Sequence, residues 1–240
     1  MKKFIISIVS LFLFVPFISA QLALPSEQEQ QPSTYPFFNY GNYQQLQNQL
    51  QDDATREEAR REAARKKDLN DNVPNFHQVS EKLYRGGQPT EHGYELLKQM
   101  GIKTVVNLRI DPREESMVKK AGLEYVRIPI NPPFLNDKHI EEFLLVMAKK
   151  KNWPVFVHCL HGSDRTGAAV ASYRVVYQGY TVDNAYAEML EPKYGFNKIW
   201  VHIDSFIRNM SSKQIRDWRL AIQQSKPSDP DVGRLLAANE

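Results

Sequence analysis

The sequence predicts an α/β fold with a mostly parallel central sheet and helices on both faces of that sheet. Three observations indicate it. Short runs rich in β-branched residues alternate with amphipathic helical segments, and strands separated by helices favour parallel pairing. The strand-like run Val155–Val157 passes through a polar loop into the helix-like run Ala168–Ala171. With 240 residues, 42% of them hydrophobic, the chain can form one ordinary domain with appendages.

The elements of this domain can be assigned in chain order from turn signals and hydrophobic periodicity. We expect a strand or hairpin near 79–85 and then a helix that begins after Thr90 and stops at Gly101. The next predicted elements are strand 103–108, a short helix at 112–120, strand 123–130, helix 138–150 and strand 154–158. Core-facing helical stripes are Ile140, Phe143, Leu144, Met147 and Ala148; Val182, Ala185, Tyr186, Met189 and Leu190; and Ile199, Ile203, Phe206, Ile207 and Met210.

Residues 1–20 have the pattern of a secretory signal peptide. Lys2 and Lys3 precede the apolar run Phe4–Ile18, and Ala20 is the expected cleavage position. The apolar run is shorter than the roughly 20 residues that a spanning helix needs, although an uncleaved membrane anchor is the alternative. We therefore expect an exported, periplasmic or secreted protein with no stable membrane span after cleavage.

The mature chain is expected to consist of an extension, one domain and a tail. Residues 21–72 comprise a low-complexity linker, over 21–45, and a charged helix over 46–69 that has almost no apolar face. This helix is interpreted as a solvated stalk, with a docking arm for a partner or a membrane surface as the alternative. The domain is placed at 73–225 and a flexible tail at 226–240.

Charge and cysteine content restrict the classes of partner and of site. Removing Lys2 and Lys3 lowers the net charge from +3 to +1, so no nucleic-acid partner is predicted. Exported proteins usually use cysteines in pairs as disulfides, yet Cys159 is the single cysteine of the chain. It cannot form an intramolecular bridge, and its oxidation would find no resolving partner in the chain. The oligomeric state is left open.

The ten residues 158–167, called here the Cys159 loop, are the strongest indication of chemistry. They read His-Cys-Leu-His-Gly-Ser-Asp-Arg-Thr-Gly and join a predicted strand to a predicted helix. Backbone N–H groups at a helix start have no intrahelical acceptor, and the helix dipole adds about half a positive charge there. The loop therefore predicts a site for a phosphate-sized anion.

A nucleophile and a fixed cation make this anion site a predicted catalyst. A thiol at a helix N-terminus beside a cation has its pKa lowered from about 8.5 to roughly 3.5–7.5, so we expect Cys159 to be a thiolate at neutral pH. Arg165 presents a planar fork that can hold two phosphoryl oxygens. Gly162 stands where positive φ or close backbone approach is expected, and Thr166 can donate its hydroxyl to the sulfur. The candidate phosphate-binding residues are Leu160, His161, Gly162, Ser163, Asp164, Arg165 and Thr166.

Two other interpretations of the loop fit the sequence less well. An inert buried cysteine would not require the surrounding pattern of glycine, arginine and threonine. A zinc site at His158, Cys159 and His161 would need a fourth ligand, and the sequence has no further cluster of Cys or His to provide it. We predict no metal and no cofactor.

The Cys159 loop resembles the signature loop of the cysteine-dependent protein phosphatases, most closely that of bacterial members of the dual-specificity or tyrosine type. The resemblance extends over about residues 74–210. It implies a protein tyrosine phosphatase-like fold and hydrolysis of phosphate monoesters through a phosphocysteine. The segments similar in order and spacing are Leu83–Pro89, Gly101–Arg109 and Tyr125–Ile130 before the loop, and Tyr173–Tyr180 and Ala185–Leu190 after it.

The resemblance also implies a general acid, for which two aspartates are candidates. In the family an aspartate on a loop before the signature protonates the leaving oxygen, and Asp137 is the one acid of the corresponding segment 131–137. It lies 22 residues before Cys159, a shorter separation than is usual in the family, and its alternative role is an N-cap. Asp164 is the rival, because myotubularin-type phosphoinositide phosphatases carry a similar Cys-x-x-Gly-x-Asp-Arg-Thr pattern. Its alternative role is to shape the loop.

The pattern favours a phosphorylated protein as substrate, with phosphotyrosine preferred. Inositol-phosphate and phosphoinositide phosphatases often carry lysines inside this loop, and this loop has none. Those substrates are the first alternative, because a cationic His161 could pair with a second phosphate. A non-catalytic phosphate-recognition module is the second. Sulfur-transfer or arsenate-reducing enzymes with a similar loop would require further cysteines or a different loop length. Arg109 is expected at the pocket mouth or on the open surface.

Overall fold

The computed structural model describes residues 40–225, so the predicted signal peptide, the linker up to residue 39 and the tail 226–240 lie outside the described residues. The helices are α1 (Tyr40–Asn72), α2 (Glu91–Gln99), α3 (Glu115–Lys120), α4 (Asp137–Met147), α5 (Asp164–Tyr177), α6 (Val182–Met189), α7 (Val201–Arg208) and α8 (Ser212–Gln224). The strands are β1 (His77–Ser80), β2 (Leu83–Gly86), β3 (Thr104–Asn107), β4 (Glu124–Arg127) and β5 (Val155–His158), and short 3-10 helices span Pro132–Phe134, Lys150–Asn152 and Pro192–Tyr194.

The five strands form one sheet in the order β1-β2-β5-β3-β4. The hairpin pair β1 and β2 is antiparallel, and every other pair is parallel. Strands β3 and β5 are buried along their whole length, as is usual for inner strands of a sheet covered on both faces. The carboxyl ends of β2, β3 and β5 therefore lie side by side, which is the edge where α/β sheets place their sites.

Helices cover both faces of the sheet. Successive side chains of β5 alternate, so Phe156 packs with α2, α3 and the end of α1, whereas Val155 and Val157 pack with α4 to α8. Strand β3 divides in the same way, with Val105 on the first side and Val106 on the second. The predicted fold class, a mostly parallel sheet between two helical layers, is confirmed.

Helix α1 is longer than the predicted helix 46–69 and begins within the segment predicted as linker. Contacts divide the chain at Ala54 and Thr55 into two units. In the first unit the described side chains of α1 are exposed throughout. In the second unit the end of the helix is held, because the Thr90 N–H and hydroxyl donate to the backbone and side-chain oxygens of Asn72 at 2.9 and 2.7 Å.

The structure corrects several of the predicted elements. Helix α8 was not predicted, although Ser211 and Gln214 form a capping box at its start and Trp218 and Ile222 are buried on one face. Ile199 was predicted to face the core, but α7 begins only at Val201 and the Ile199 side chain is 70% exposed. The predicted helix 138–150 ends at Met147, and the predicted strand 123–130 ends at Arg127.

None of the helices within residues 40–225 has the length and apolar character needed to cross a membrane.

Candidate active site

The Cys159 loop connects the end of β5 to the start of α5 at the carboxyl edge of the sheet. Cys159 is 2% exposed, and Ser163 and Thr166 are also buried, whereas Leu160 and His161 face outward. Helix α5 begins at Asp164. The loop therefore occupies the strand-to-helix turn that the sequence predicted, with the thiol at its base.

The carbonyl oxygens of the loop are bound from outside by the N-terminal part of the domain. Asn75 Nδ2 donates to the His161 carbonyl at 3.1 Å, and the Gln88 N–H donates to the Leu160 carbonyl at 3.1 Å. Arg85 Nη2 donates to the carbonyl of Gly162 at 2.8 Å. Arg85 belongs to the upstream motif Leu83–Pro89, but its burial beneath the loop was not predicted.

The backbone N–H groups of the loop are left free for a ligand. Within the described part of the chain, the N–H groups of residues 160–166 have no protein acceptor. Because carbonyl and N–H groups of a trans peptide point in opposite directions, anchoring the carbonyls outward turns the amides toward the other side. A row of such amides at a helix start is a binding site for a phosphate-like anion.

Gly162 is required by the close approach of the loop to the end of β2. Its φ is +74°, and a Cβ atom there would lie 2.3 Å from the carbonyl carbon of Gly86 and 2.5 Å from the amide nitrogen of Gly87. No side chain fits that space, so the predicted need for glycine at this position is explained by both conformation and contact. The contact also gives a role to the Gly-Gly pair of the upstream motif.

Arg165 is half-buried and held by the ends of the neighbouring strand segments. Its Nη1 donates to the carbonyl of Ile130 at 3.1 Å and to that of Leu108 at 3.4 Å. A guanidinium has five N–H donors, so these bonds orient the group and leave further donors for phosphoryl oxygens. Cys159 and Arg165 are thus both fixed by buried elements of the sheet.

His158 lies behind the loop and is fully buried. Its Nδ1 donates to the Cys159 carbonyl at 3.1 Å, and its Nε2 lies 2.9 Å from Oε1 of the buried Glu114. The two bonds require two protons on the His–Glu pair, so the pair has no net charge whether it is ionised or neutral. Glu114 was not identified from the sequence, where it is one of two adjacent glutamates without a distinguishing pattern.

The predicted hydrogen bond from the Thr166 hydroxyl to the Cys159 sulfur is not formed. Its Oγ1 is buried and has no hydrogen-bond partner within the described residues. The hydroxyl is therefore a donor available inside the loop.

The two candidate acids occupy different environments. Asp164 is 8% exposed, and its Oδ1 accepts the Asn197 N–H at 2.8 Å, so it ties the loop to the segment before α7. Asp137 is exposed, and its Oδ1 accepts from Gln214 Nε2 at 2.8 Å. The alternative role of Asp137 as an N-cap is wrong, because Asn136 caps α4 and Asp137 is the first residue of that helix.

Arg109 is connected to the loop through a glutamine. Its Nη1 donates to Gln88 Oε1, and the Gln88 backbone bonds the loop at Leu160. The neighbouring Asp111 is no candidate acid, since its side-chain bonds with Arg113 hold the pKa of its carboxyl far below the usual range and keep it ionised.

Four exposed apolar side chains lie in the Cys159 loop or on segments linked to it, and they are called here the apolar rim: Phe134, Leu160, Ile199 and Val201. They are exposed by 68%, 45%, 70% and 69%, respectively. The segment bearing Ile199 is tied to the loop by Asn197, and His202 Nε2 donates to the Leu135 carbonyl at 2.7 Å, which joins α7 to the segment of Phe134. Solvent-exposed apolar groups of this size near a polar site are typical of a recognition surface.

Comparison with known proteins agrees with this geometry. The family model described as "DSP-PTPase phosphatase fused to NAD+ Kinase" matches residues 49–209. The dual specificity protein phosphatase TpbA of Pseudomonas aeruginosa is 31% identical over 122 residues, which are 50% of this chain and 56% of that protein. The inositol diphosphatase DSP5 of Arabidopsis thaliana is 26% identical over 111 residues, 43% of this chain and 54% of that protein. The chain thus spans about half the length of the curated relatives it matches.

Solved structures show the same fold. The crystal structure of P. aeruginosa TpbA has a TM-score of 0.55 at 27% identity and covers 62% of this chain and 91% of that one. The core catalytic domain of the PP-IP phosphatase SIW14 from S. cerevisiae has a TM-score of 0.51 at 19% identity, covering 62% and 92%, a likeness of fold alone. Because the family model covers most of the chain and the loop, sheet and helices agree with it, the chain belongs to this DSP-PTPase family within the cysteine-dependent phosphatase superfamily.

Proposed function

We propose that the chain hydrolyses phosphate monoesters through a phosphocysteine, and that phosphorylated proteins, phosphotyrosine above phosphoserine or phosphothreonine, are its substrates. The observation that carries the proposal is the Cys159 loop itself. Its carbonyls are bound from outside, its amides are free, and a buried thiol and a fixed guanidinium lie at its two ends.

The proposed reaction has two steps. The Cys159 thiolate attacks phosphorus and forms the S–P bond, while the P–O ester bond breaks and a carboxylic acid protonates the leaving oxygen. Arg165 and the loop amides hold the three non-bridging oxygens as charge develops on them. In the second step the same carboxylate takes a proton from water, the water oxygen bonds phosphorus, and the S–P bond breaks. The products are the free hydroxyl, inorganic phosphate and the regenerated thiolate.

The apolar rim supports an aryl phosphate on a protein as the substrate. A phosphotyrosine side chain carries an apolar ring behind its phosphate, and rim residues such as Phe134 and Ile199 can pack against that ring and its flanking peptide. An inositol with several phosphates has no apolar face of that size to bury. The P. aeruginosa TpbA, to which this chain is similar, has been solved in complex with pTyr.

A substrate profile tests this preference. We expect higher kcat/KM for phosphotyrosine peptides than for phosphoserine or phosphothreonine peptides and for soluble inositol phosphates. Replacing a rim residue, Ile199→Ser, should raise KM for phosphotyrosine peptides by roughly 10-fold, the usual cost of one apolar contact. Leu220→Ser is the matched control, since Leu220 is also exposed but lies on α8. Equal KM values in the two variants would contradict a role of the rim.

An inositol-phosphate substrate is the second candidate. It is supported by curated relatives named inositol diphosphatases, such as DSP5 of A. thaliana, and by the exposed His161, which as a cation could pair a second phosphate. A higher kcat/KM for a soluble inositol phosphate than for every phosphopeptide tested would favour this candidate over the first.

Export is a further part of the proposal. It is supported by the charged start, the apolar run and the small residues at 1–20 of the sequence. Mass spectrometry of the protein recovered from periplasmic and culture fractions should identify Gln21 as the first residue. An intact Met1 in the cytoplasmic fraction alone would contradict export.

A further inference from the structure

Arg85 is a fully buried cation beneath the Cys159 loop. It is on β2, is 1% exposed and is among the largest fully buried side chains of the described residues. No carboxylate within the described part of the chain lies at ion-pair distance from it, and its Nε has no hydrogen-bond partner there. Burying a charge without a counter-charge is costly, so the guanidinium must obtain its compensation from other groups.

The compensation comes from the loop and from one aromatic ring. Arg85 Nη2 donates to the Gly162 carbonyl at 2.8 Å and reaches the Ser163 carbonyl at 3.4 Å. The guanidinium carbon lies 4.1 Å from the centroid of the Tyr194 ring, a cation–π distance. The group therefore touches two consecutive peptide units of the loop.

These two bonds determine the direction of two loop amides. Each peptide unit is planar, so binding the Gly162 carbonyl from below turns the Ser163 N–H away from Arg85, and the Ser163 carbonyl does the same for the Asp164 N–H. Both N–H groups are without a protein acceptor in residues 40–225. The same guanidinium places a full positive charge on the side of these peptides opposite to the anion site.

The charge of Arg85 is retained at neutral pH and interacts with the nucleophile. Burial lowers the pKa of the guanidinium to about 10, and interactions with Tyr194, Cys159 and Glu188 act in the opposite direction. At pH 7 the group is therefore protonated. An anion in the loop, whether thiolate or phosphate, is an opposite charge that this guanidinium favours, in addition to Glu188, which lies beyond ion-pair distance.

We propose that Arg85 is a positioning residue that orients the Ser163 and Asp164 amides of the Cys159 loop and, through its buried charge, raises the affinity of the loop for phosphate. The inference rests on the proposed phosphate site. Arg85 is then a second cation of the site, beside Arg165. Arg85 acts from behind the loop backbone, whereas Arg165 acts from the side of the ligand.

The test compares Arg85→Gln and Arg85→Lys with the wild type and with Arg219→Gln. Arg219 is a matched control, because it is also an arginine that donates to a backbone carbonyl, that of Val175 at 3.4 Å, and has a buried Nε without a partner, but it lies on α8. We expect Arg85→Gln to weaken inorganic phosphate binding, measured by titration calorimetry, by roughly 10- to 100-fold, the range for outer-shell partners of a binding site. Arg85→Lys should recover part of this loss, because it keeps the charge.

Steady-state kinetics on an aryl phosphate and thermal unfolding complete the experiment. A purely structural role would lower the melting temperature without changing the phosphate affinity of the folded protein. A phosphate Kd and a kcat of folded Arg85→Gln within about two-fold of those of Arg219→Gln would overturn the proposal, because the expected loss is at least about 10-fold. If Arg85→Gln does not fold, the same limit is applied to Arg85→Lys, whose ammonium keeps the charge but lacks the planar Nη2 group that reaches both carbonyls.

Phosphate titration does not depend on turnover. A loss of phosphate affinity in the Arg85 variants therefore supports the inference even if no tested ester is hydrolysed. If the wild type hydrolyses an ester and the Arg85 variants have unchanged phosphate Kd and kcat, the inference is refuted and the proposed function stands.

Discussion

Cys159→Ser is expected to lower kcat/KM for an aryl phosphate by at least about 10⁴-fold, the order of loss seen when a covalent nucleophile is removed. A serine hydroxyl at this position stays protonated at neutral pH, and the imidazole of the preceding residue, His158, is already engaged with Glu114 and the loop backbone. The variant thus has neither a thiolate nor a base to activate the hydroxyl. Phosphate binding should persist, because the loop amides and Arg165 are unchanged.

Rapid-mixing kinetics provide the measurement. The wild type should show a burst of the aryl alcohol equal to the enzyme concentration whenever hydrolysis of the phosphocysteine is the slower step, and the variant should show none. Titration with inorganic phosphate and the melting temperature verify that the variant is folded. Turnover by Cys159→Ser within 100-fold of the wild type would contradict covalent catalysis by Cys159, and phosphate binding without turnover in the wild type would favour a recognition module.

Asp137→Asn is expected to slow hydrolysis of an alkyl phosphate by roughly 10²- to 10⁴-fold, the range for a lost general acid. An aryl ester with a good leaving group should be affected far less, because its leaving oxygen needs no proton in the transition state. Asp137 suits this role better than Asp164 because it is exposed and bonded only to a neutral glutamine among the described residues. A second carboxylate oxygen remains for the leaving group.

Asp164→Asn is the comparison variant. Its Oδ1 accepts the Asn197 N–H, so the buried carboxylate is engaged in holding the loop to the segment before α7. We expect its loss to change the alkyl and aryl rates by similar factors and to alter the melting temperature. The ratio of alkyl to aryl rates is the decisive measurement, and a selective loss of the alkyl rate in Asp164→Asn alone would assign the acid to Asp164.

Local signals in the sequence predicted the architecture well. These signals are the alternation of strands and helices, the stops at glycines and the apolar stripe from Ile140 to Ala148. Each depends only on residues that are close together in the sequence. The buried strands and helical faces of the structure agree with these predictions. The missed helix α8 carries an equally local signal in its capping box and in Trp218 and Ile222. That helix could have been predicted from the sequence.

Partners across the fold were not predictable in the same way. Arg85 and Gly162, or His158 and Glu114, are far apart in the sequence and meet only because β2, β5 and the segment after β3 share one edge of the sheet. The sequence around a single arginine in a strand does not indicate whether its side chain will face solvent or a buried carbonyl. The exposure of Ile199 was missed for a related reason, since periodicity alone extended the stripe beyond the start of α7.

Gly162 and the Gly86–Gly87 pair are in such close contact that two segments distant in the sequence restrict each other sterically. A Cβ atom on Gly162 would overlap the backbone of the pair, and a Cβ atom on Gly87 would lie 3.0 Å from the Leu160 carbonyl oxygen. A side chain on Gly162 would therefore push the hairpin away from the loop, and one on Gly87 would require a small shift of the Leu160 carbonyl, which is one of the anchored carbonyls. For recognising further members by sequence, the loop motif and the upstream Gly-Gly motif should be required together, and a chain with the cysteine and arginine but without the upstream glycines would need another way to support its loop.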